Sequence, residues 1–500
     1  MMADWKVYVS LPFLKVRFLF LVLVTLWLGC VQSETGANGS NENVSDVPPN
    51  IVLILIDDLG KEWISCYGAE DINTPNIDAL AAKGWKFNNA YCMPQCTPSR
   101  VTLLTGQYPF RHGWVNHWDV PRWGGGAHFD ESLNNSLGVE MKKLGYATCI
   151  AGKWQIDDFR VEPEALIKNG FDSYFMWTGY ETGVPESAER YWDPYIYSND
   201  GSQTYTSQFG PDAFRAHIEN FIIEHANDPF FVYYPMVLTH TPLVSTPDQP
   251  KKLETDLEKH KAMVQYTDKI VGQIVDVLED LQQRANTMII LTTDNGTTRK
   301  ITGNRLGVAV RGAKSLTSEP GVCIPFIVSL PGKITEGIQT DALVDFTDLL
   351  PTLIEAGGGD HSNLIHTIDG QSFYPLLVNE EDYVPRKWIM SMGGGNHARL
   401  TEAGVENQYL FRDRVVRNHR YKMYVNSNRE AANFYDLMLD PLEKNNILDS
   451  LDGTLRSEQF DHLMRVAKSF PEEDNDPVYR PNPSQAWDVE ITAESKAWKL

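Results

Sequence analysis

The chain has 500 residues, 42% hydrophobic and 22% charged, an ordinary globular composition with enough length for a large domain and a smaller companion. The 66 acidic residues outnumber the 44 basic ones, and the net charge of −22 excludes a nucleic-acid-binding surface, which needs clustered Lys and Arg. An anionic substrate would have to be drawn by a local basic pocket, since the overall field repels it.

At the N-terminus, Lys6, Lys15 and Arg17 surround the start of an apolar run from Phe18 to Gly29. Residues 1–30 therefore read as an export signal, too short for a spanning helix. Leu26-Trp27-Leu28-Gly29-Cys30 has the form of a bacterial lipoprotein cleavage site with Cys30 as the lipidated residue. Trp27 fits that form poorly, and a plain secretory signal is the alternative. Either way the protein is expected to be exported, to the periplasm or cell surface if its source is bacterial. Residues 31–49 are polar, rich in Asn and Ser and without periodicity, as in a flexible tether.

The run Ile51 to Ile56 is unbroken and aliphatic, as expected of a strand buried on both faces, and it ends in Asp57-Asp58-Leu59-Gly60. Thr74 to Gly84 has helix character with a Gly stop, Leu137 to Leu144 reads as a helix, and Tyr146 to Ala151 as a short strand before Gly152-Lys153-Trp154-Gln155. Phe214, Ile218, Phe221 and Ile222 form an apolar stripe on a helix over Asp212 to Ala226, and a strand from Phe230 to Tyr234 leads to Thr239-His240-Thr241-Pro242. A long helix is predicted from about Glu258 to Arg284, then a strand from Thr287 to Thr292 that ends in Asp294-Asn295-Gly296. This alternation predicts an α/β fold with a large, mostly parallel sheet sandwiched by helices over residues 50–385. Its polar corners lie beyond strand C-termini, where such sheets bind ligands. From 386 to 500 the texture changes to short runs such as Val415-Val416 and Tyr421 to Val425, predicting a small antiparallel sheet and a tail.

Within Cys96-Thr97-Pro98-Ser99-Arg100, Thr97 can act as N-cap and Pro98 as first helical residue, with Arg100 four residues from Cys96 on the same face. An anion beside Cys96 would meet both free backbone N–H groups and a guanidinium. Asp57, Asp58, Asp294 and Asn295 offer only oxygen ligands, which favours a hard cation over zinc. The remaining Cys66, Cys92, Cys149 and Cys323 match no zinc spacing and read as isolated thiols, with one disulfide left open.

Cys-x-Pro-Ser-Arg at 96–100, followed by Leu103-Leu104-Thr105-Gly106, resembles the signature of the type I sulfatases. The resemblance continues through Thr74-Pro75-Asn76-Ile77-Asp78, Tyr108 to Gly113, Asp348 to Gly357 and Asp369-Gly370, and covers most of residues 50–450. It implies an alkaline-phosphatase-like fold and hydrolysis of an organic sulfate ester, here expected to be a sulfated carbohydrate. It also implies a Cys96 oxidised by a maturation enzyme to formylglycine, whose hydrated aldehyde is the nucleophile. Carried over residue by residue, it implies a metal held by Asp57, Asp58, Asp294, Asn295 and the modified Cys96. Calcium suits a dry cage of protein oxygens better than magnesium. Arg100, Lys153 and Lys314 would bind sulfate oxygens and His240 would assist the leaving alcohol. Gln155 departs from the family, whose Gly-Lys-Trp motif continues with histidine; glutamine can orient a hydroxyl but cannot take its proton. His112 is the expected replacement base. Two alternatives share this reading's residues: a phosphodiesterase or phosphonate hydrolase on the same scaffold, and a sulfoglycan-binding protein with a degenerate site.

Overall fold

The computed structural model describes residues 48–116 and 128–480, except 180, 182, 183, 382, 394–397, 402, 403, 408–410 and 452–454, together with 485, 492–494, 496 and 497. The expected export signal, tether and lipidation site at Cys30 lie outside the described residues.

In chain order the strands are β1 (Asn50–Ile56), β2 (Trp85–Tyr91), β3 (Ala147–Lys153), β4 (Ser173–Trp177), β5 (Tyr195–Ser198), β6 (Gly201–Thr204), β7 (Phe230–Pro235) and β8 (Thr287–Thr293). A hairpin of β9 (Thr302–Arg305) and β10 (Val308–Arg311) follows, then β11 (Cys323–Ile324), β12 (Phe326–Ser329) and β13 (Ile338–Asp345). An 11-stranded sheet runs β11-β2-β12-β8-β1-β7-β3-β4-β5-β6, with β13 joined to β2. Its centre, β8-β1-β7-β3-β4, is wholly parallel. On either side it continues antiparallel through β12 and β5, so the expected parallel sheet is the middle of a mixed one.

Because successive side chains on a strand point to opposite faces, β1 feeds two cores at once. Ile51, Leu53 and Leu55 enter one with Val101, Leu103 and Leu104 of the Cys96–Thr105 helix and with the Leu349–Ala356 helix. Val52, Ile54 and Ile56 enter the other with the Pro75–Ala82, Gly210–Glu224 and Asp256–Asp280 helices. All six side chains are fully buried, each contributing ~1.5–3 kcal/mol by transfer from water. The long helix begins earlier than its apolar stripe, because Thr255 caps it in a reciprocal box with Glu258.

A four-stranded antiparallel sheet contains β14 (Ile389–Met392), β15 and β16 being a separate hairpin (Ala398–Thr401 and Gly404–Asn407), then β17 (Arg414–Arg417), β18 (Tyr421–Val425) and β19 (Ala431–Asp436), in the order β14-β17-β18-β19. The Leu455–Ser469 helix covers it with Leu463, Val466 and Ala467. The cysteines at 66, 92, 96, 149 and 323 are all free thiols.

One glycine fixes how β3 ends. Gly152 has φ 124°, and a Cβ there would lie 2.0 Å from the Pro235 carbonyl oxygen at the end of β7. Any side chain would push β3 away from β7 and displace Lys153. Gly152→Ala is expected to lose at least about 1–3 kcal/mol of unfolding free energy from backbone strain alone, measured by urea denaturation.

Candidate active site

The parallel registers align three strand ends. Ile56 pairs with Thr293, so Asp57-Asp58 and Asp294-Asn295 emerge side by side from β1 and β8. Asp57 donates its N–H to Leu238 O beyond β7 and Asp294 donates to Ile56 O, which extends the ladder into the corners. Asp58 takes a left-handed φ of 64°, turning its carboxylate back over the sheet end. The Cys96–Thr105 helix points its N-terminus at the same place. It starts two residues before the sequence reading: Gln95, not Thr97, is the cap position and Cys96, not Pro98, opens the first turn.

Within this corner Arg100, buried and four residues from Cys96, places Nη2 2.7 Å from Asp294 Oδ2 and Nη1 2.6 Å from the Lys153 carbonyl oxygen. Lys153 Nζ lies 2.7 Å from Asp57 Oδ2, and Lys314 Nζ lies 2.6 and 2.8 Å from the two Asp58 oxygens. Both ammonium groups are 3.5 Å from Cys96 Sγ, which is 3.8 Å from Asp57 Oδ1. His240 Nε2 approaches Asp58 Oδ2 at 3.8 Å, and its Nδ1 meets the Thr241 carbonyl oxygen at 2.6 Å. The structure thus brings together Cys96, Arg100, Lys153, His240, Lys314, Asp57, Asp58, Asp294 and Asn295.

Electrostatics follow from dryness and mutual proximity. Burial alone would raise the pKa of Asp57 and Asp58, but Lys153 beside the first and Lys314 beside the second outweigh it and hold both carboxyls below their usual range. Burial and the Asp57 charge push Asp294 up to about 6 against the pull of Arg100. Burial pushes the Cys96 thiol up to about 11, so an unmodified thiol stays protonated near neutrality. Burial, helped by Lys314, lowers His240 to about 3, leaving a neutral imidazole.

A cation site is supported from three sides. Oxygen and sulfur atoms of Asp57, Asp58 and Cys96, with a ring nitrogen of His240, lie within 4.8 Å of one another. Asn295 donates Nδ2 to Asp58 Oδ1 at 2.7 Å, while its Oδ1 is buried with no hydrogen-bond partner. A bound hard cation is a partner that orphaned oxygen fits.

Two sequence-derived residues fall differently. Gln155, at φ 60°, takes the Thr97 hydroxyl on its backbone oxygen at 3.4 Å, and its side-chain Oε1 is buried without a partner. His112 is not gathered into the corner. Its Nδ1 accepts from the Trp114 N–H and its Nε2 meets the Thr102 hydroxyl, both at 3.1 Å, two turns up the helix from Cys96. Burial lowers its pKa to about 3, so it is a satisfied core imidazole and not a base beside residue 96. Sequence reading missed Arg190, whose Nη1 lies 3.4 Å from His240 Nδ1; no motif surrounds it.

Comparison with known proteins agrees with this geometry. The family model described as Sulfatase matches residues 49–359, and one described as N-sulphoglucosamine sulphohydrolase, C-terminal, matches residues 313–467. The chain is 27% identical over 513 residues to an N-acetylgalactosamine-6-O-sulfatase of Bacteroides thetaiotaomicron, covering 85% of this chain and 93% of that one. It is 30% identical over 370 residues to the N-acetylgalactosamine-6-sulfatase of Homo sapiens, covering 69% and 67%. Among solved structures, Ps i-CgsB superposes with a TM-score of 0.71 at 24% identity, covering 86% of this chain and 94% of that one, and has also been solved in complex with k-i-k-neocarrahexaose.

The position of His112 sets an expectation. His112→Ala should destabilise the fold by about 1–3 kcal/mol, because it empties a buried site and strands the Thr102 and Trp114 groups. Urea denaturation measures that loss, and kcat of the folded fraction should be unchanged.

Proposed function

This chain belongs to the sulfatase family and is a sulfuric ester hydrolase of the alkaline-phosphatase-like fold; from that premise we propose that its substrate is a sulfated carbohydrate and its nucleophile is formed at Cys96. The observation that carries the proposal is the clustering of two lysine ammonium groups 3.5 Å from one sulfur atom, at the N-terminus of a buried helix. The names of its relatives, which include enzymes for sulfated N-acetylgalactosamine, support the carbohydrate part of the reading.

Oxidised to formylglycine by a maturation enzyme, residue 96 supplies a hydrated aldehyde as nucleophile. A calcium ion held by Asp57, Asp58, Asp294, Asn295 and residue 96 would supply further positive charge to the sulfate oxygens. The chain's own residues do the rest. Asp57, Asp58 and Asp294 balance Arg100, Lys153 and Lys314 one for one, so an added divalent cation leaves the corner net positive and receptive to an anion. Lys153 and Lys314, each able to swing from its carboxylate, carry charge to the non-bridging oxygens. Arg100, fixed by Asp294 and the Lys153 carbonyl, holds the helix start in register with β8 and β3. His240 faces the departing oxygen, and Gln155 offers its unpartnered Oε1 to a hydroxyl at residue 96. Burial by the surrounding strand ends excludes bulk water, which strengthens each of these contacts. We propose that the enzyme acts outside the cytoplasm, exported through the N-terminal signal, with Cys30 either lipidated or removed with a plain secretory signal.

Peptide mass spectrometry of protein made with a formylglycine-generating enzyme should find an aldehyde at residue 96, and elemental analysis a stoichiometric hard cation. Full activity with an intact thiol would remove the nucleophile assignment. Lys314→Ala should lower turnover at least about tenfold, since a charge-assisted contact is worth roughly 1.5–3 kcal/mol. Initial rates on a sulfated oligosaccharide measure that effect.

A further inference from the structure

Arg190 is 3% exposed, yet its charge is uncompensated. The buried arginines Arg100, Arg386, Arg414 and Arg417 each meet a carboxylate. Arg284, which meets none, gives its guanidinium to Thr287 O and Ser329 Oγ. Arg190 has neither. Among the described residues no carboxylate pairs with it, its Nε is buried without a partner, and its guanidinium carbon stands 3.7 Å from the centre of the Trp177 ring. A π face compensates part of a buried cation's lost hydration but takes up none of its N–H groups.

The remaining contact is the one with His240, and it leaves the guanidinium unsatisfied. His240 Nδ1 is 2.6 Å from the Thr241 carbonyl oxygen, which only accepts, so the ring proton sits on Nδ1. That nitrogen then has no lone pair for Arg190 Nη1 at 3.4 Å. Thr178, which follows Trp177 in the chain, also has a hydroxyl oxygen that is buried without a partner. The imidazole edge that faces Asp58 is Nε2, and Arg190 lies against the opposite edge. It therefore sits about one ring's width outward from the carboxylate corner, on the side where the leaving alcohol departs. The His240 side chain keeps 21% of its surface exposed.

We propose that Arg190, stacked on Trp177, is a specificity-determining residue that binds a second oxyanion of the substrate, a carboxylate or a further sulfate, carried by the saccharide next to the ester that is cleaved. A planar guanidinium with free N–H groups matches either oxyanion in a bidentate fork, and its near-complete burial strengthens that contact. The inference rests on the sulfated-carbohydrate reading above. It names a property that the carboxylate corner does not need: discrimination between saccharides with one anionic group and those with two.

The test uses the full-length matured enzyme and a panel of monosulfated N-acetylhexosamines, their disulfated forms, and monosulfated hexuronate-containing disaccharides with their carboxyl-reduced counterparts. Wild-type enzyme should prefer members with a second anion. In Arg190→Gln the ratio of kcat/KM for second-anion over single-anion substrates should fall about 10-fold to 100-fold, mostly through KM. Arg190→Lys, which keeps the charge but not the fork, should recover part of that ratio. The disulfated arm and the hexuronate arm separately identify which oxyanion is bound. Equal loss on all substrates would reduce Arg190 to a structural support for His240, and a wild-type preference for single-anion members would also overturn the proposal. Absence of turnover on every member, with the aldehyde present at residue 96, would instead defeat the sulfated-carbohydrate reading and take this inference with it.

Discussion

Everything at this site depends on keeping six charges in a dry corner at near neutrality. Three carboxylates, Asp57, Asp58 and Asp294, face three cations, Arg100, Lys153 and Lys314, with Asp57, Asp294 and Arg100 at most 1% exposed. Removing one partner from such a pair typically costs about 3–5 kcal/mol, because the other is left charged and unhydrated. The arrangement is therefore self-consistent only as a set. The same dryness that makes the set expensive to disturb makes each of its charges effective on an anion that enters.

The fold supplies this set from distant parts of the chain by arranging for several elements to end at one point. β1, β3, β7 and β8 run parallel, so their C-terminal corners coincide and deliver Asp57, Lys153, the approach to His240, and Asp294. Lys314 comes from a loop with no strand of its own. Gly312 admits no Cβ, since the Thr298 and Thr297 carbonyl oxygens would lie 2.3 and 2.5 Å away, and Lys314 donates its N–H to Thr297 O. Further along, Glu319 pairs with Lys422 and Arg417 of the small sheet, and its N–H donates to Glu443. Arg386 pairs with Asp348 in the same way at the other junction. The C-terminal sheet thus acts on the chemistry indirectly, by fixing the loop that carries Lys314.

Much of this was legible in the residues because the signals were local. An aliphatic run that ends in Asp-Asp must be a buried strand with a polar corner, and the Thr287 to Thr292 run with Asp294-Asn295 repeats the pattern. What was not legible depended on packing. His112 stands beside Arg111 and Gly113 in a polar-looking turn, and only the helix geometry shows both ring nitrogens already engaged with Thr102 and Trp114. The start of the Cys96 helix was displaced by two residues because Thr97 and Pro98 are such strong N-terminal residues that they mask an uncapped Gln95. Arg190 had no sequence signal at all: an isolated arginine is usually solvated, and its burial is imposed by Trp177 and His240 from other elements. The antiparallel flanks of the sheet were equally hidden, since strand direction is a property of connections and not of composition.

Gln155 shows how the corner differs from a simple charge clamp. Its backbone occupies the left-handed region immediately after β3, a conformation that costs a non-glycine residue free energy and persists only where its surroundings enforce it. The Thr97 hydroxyl donates to its carbonyl oxygen, and that contact also ties the end of β3 to the first turn of the Cys96 helix. A buried amide oxygen with no partner is normally a fault in packing; beside an anion-binding helix start it is an acceptor held in reserve. It can order a hydroxyl but cannot take up its proton near neutral pH. His112 is sealed in the core, so the titratable groups that line the corner are His240, whose pKa burial lowers, and the carboxylates, in which burial opposes the neighbouring Lys and Arg charges. A neutral amide at residue 155 thus leaves titration in the corner to the electrostatic set around it.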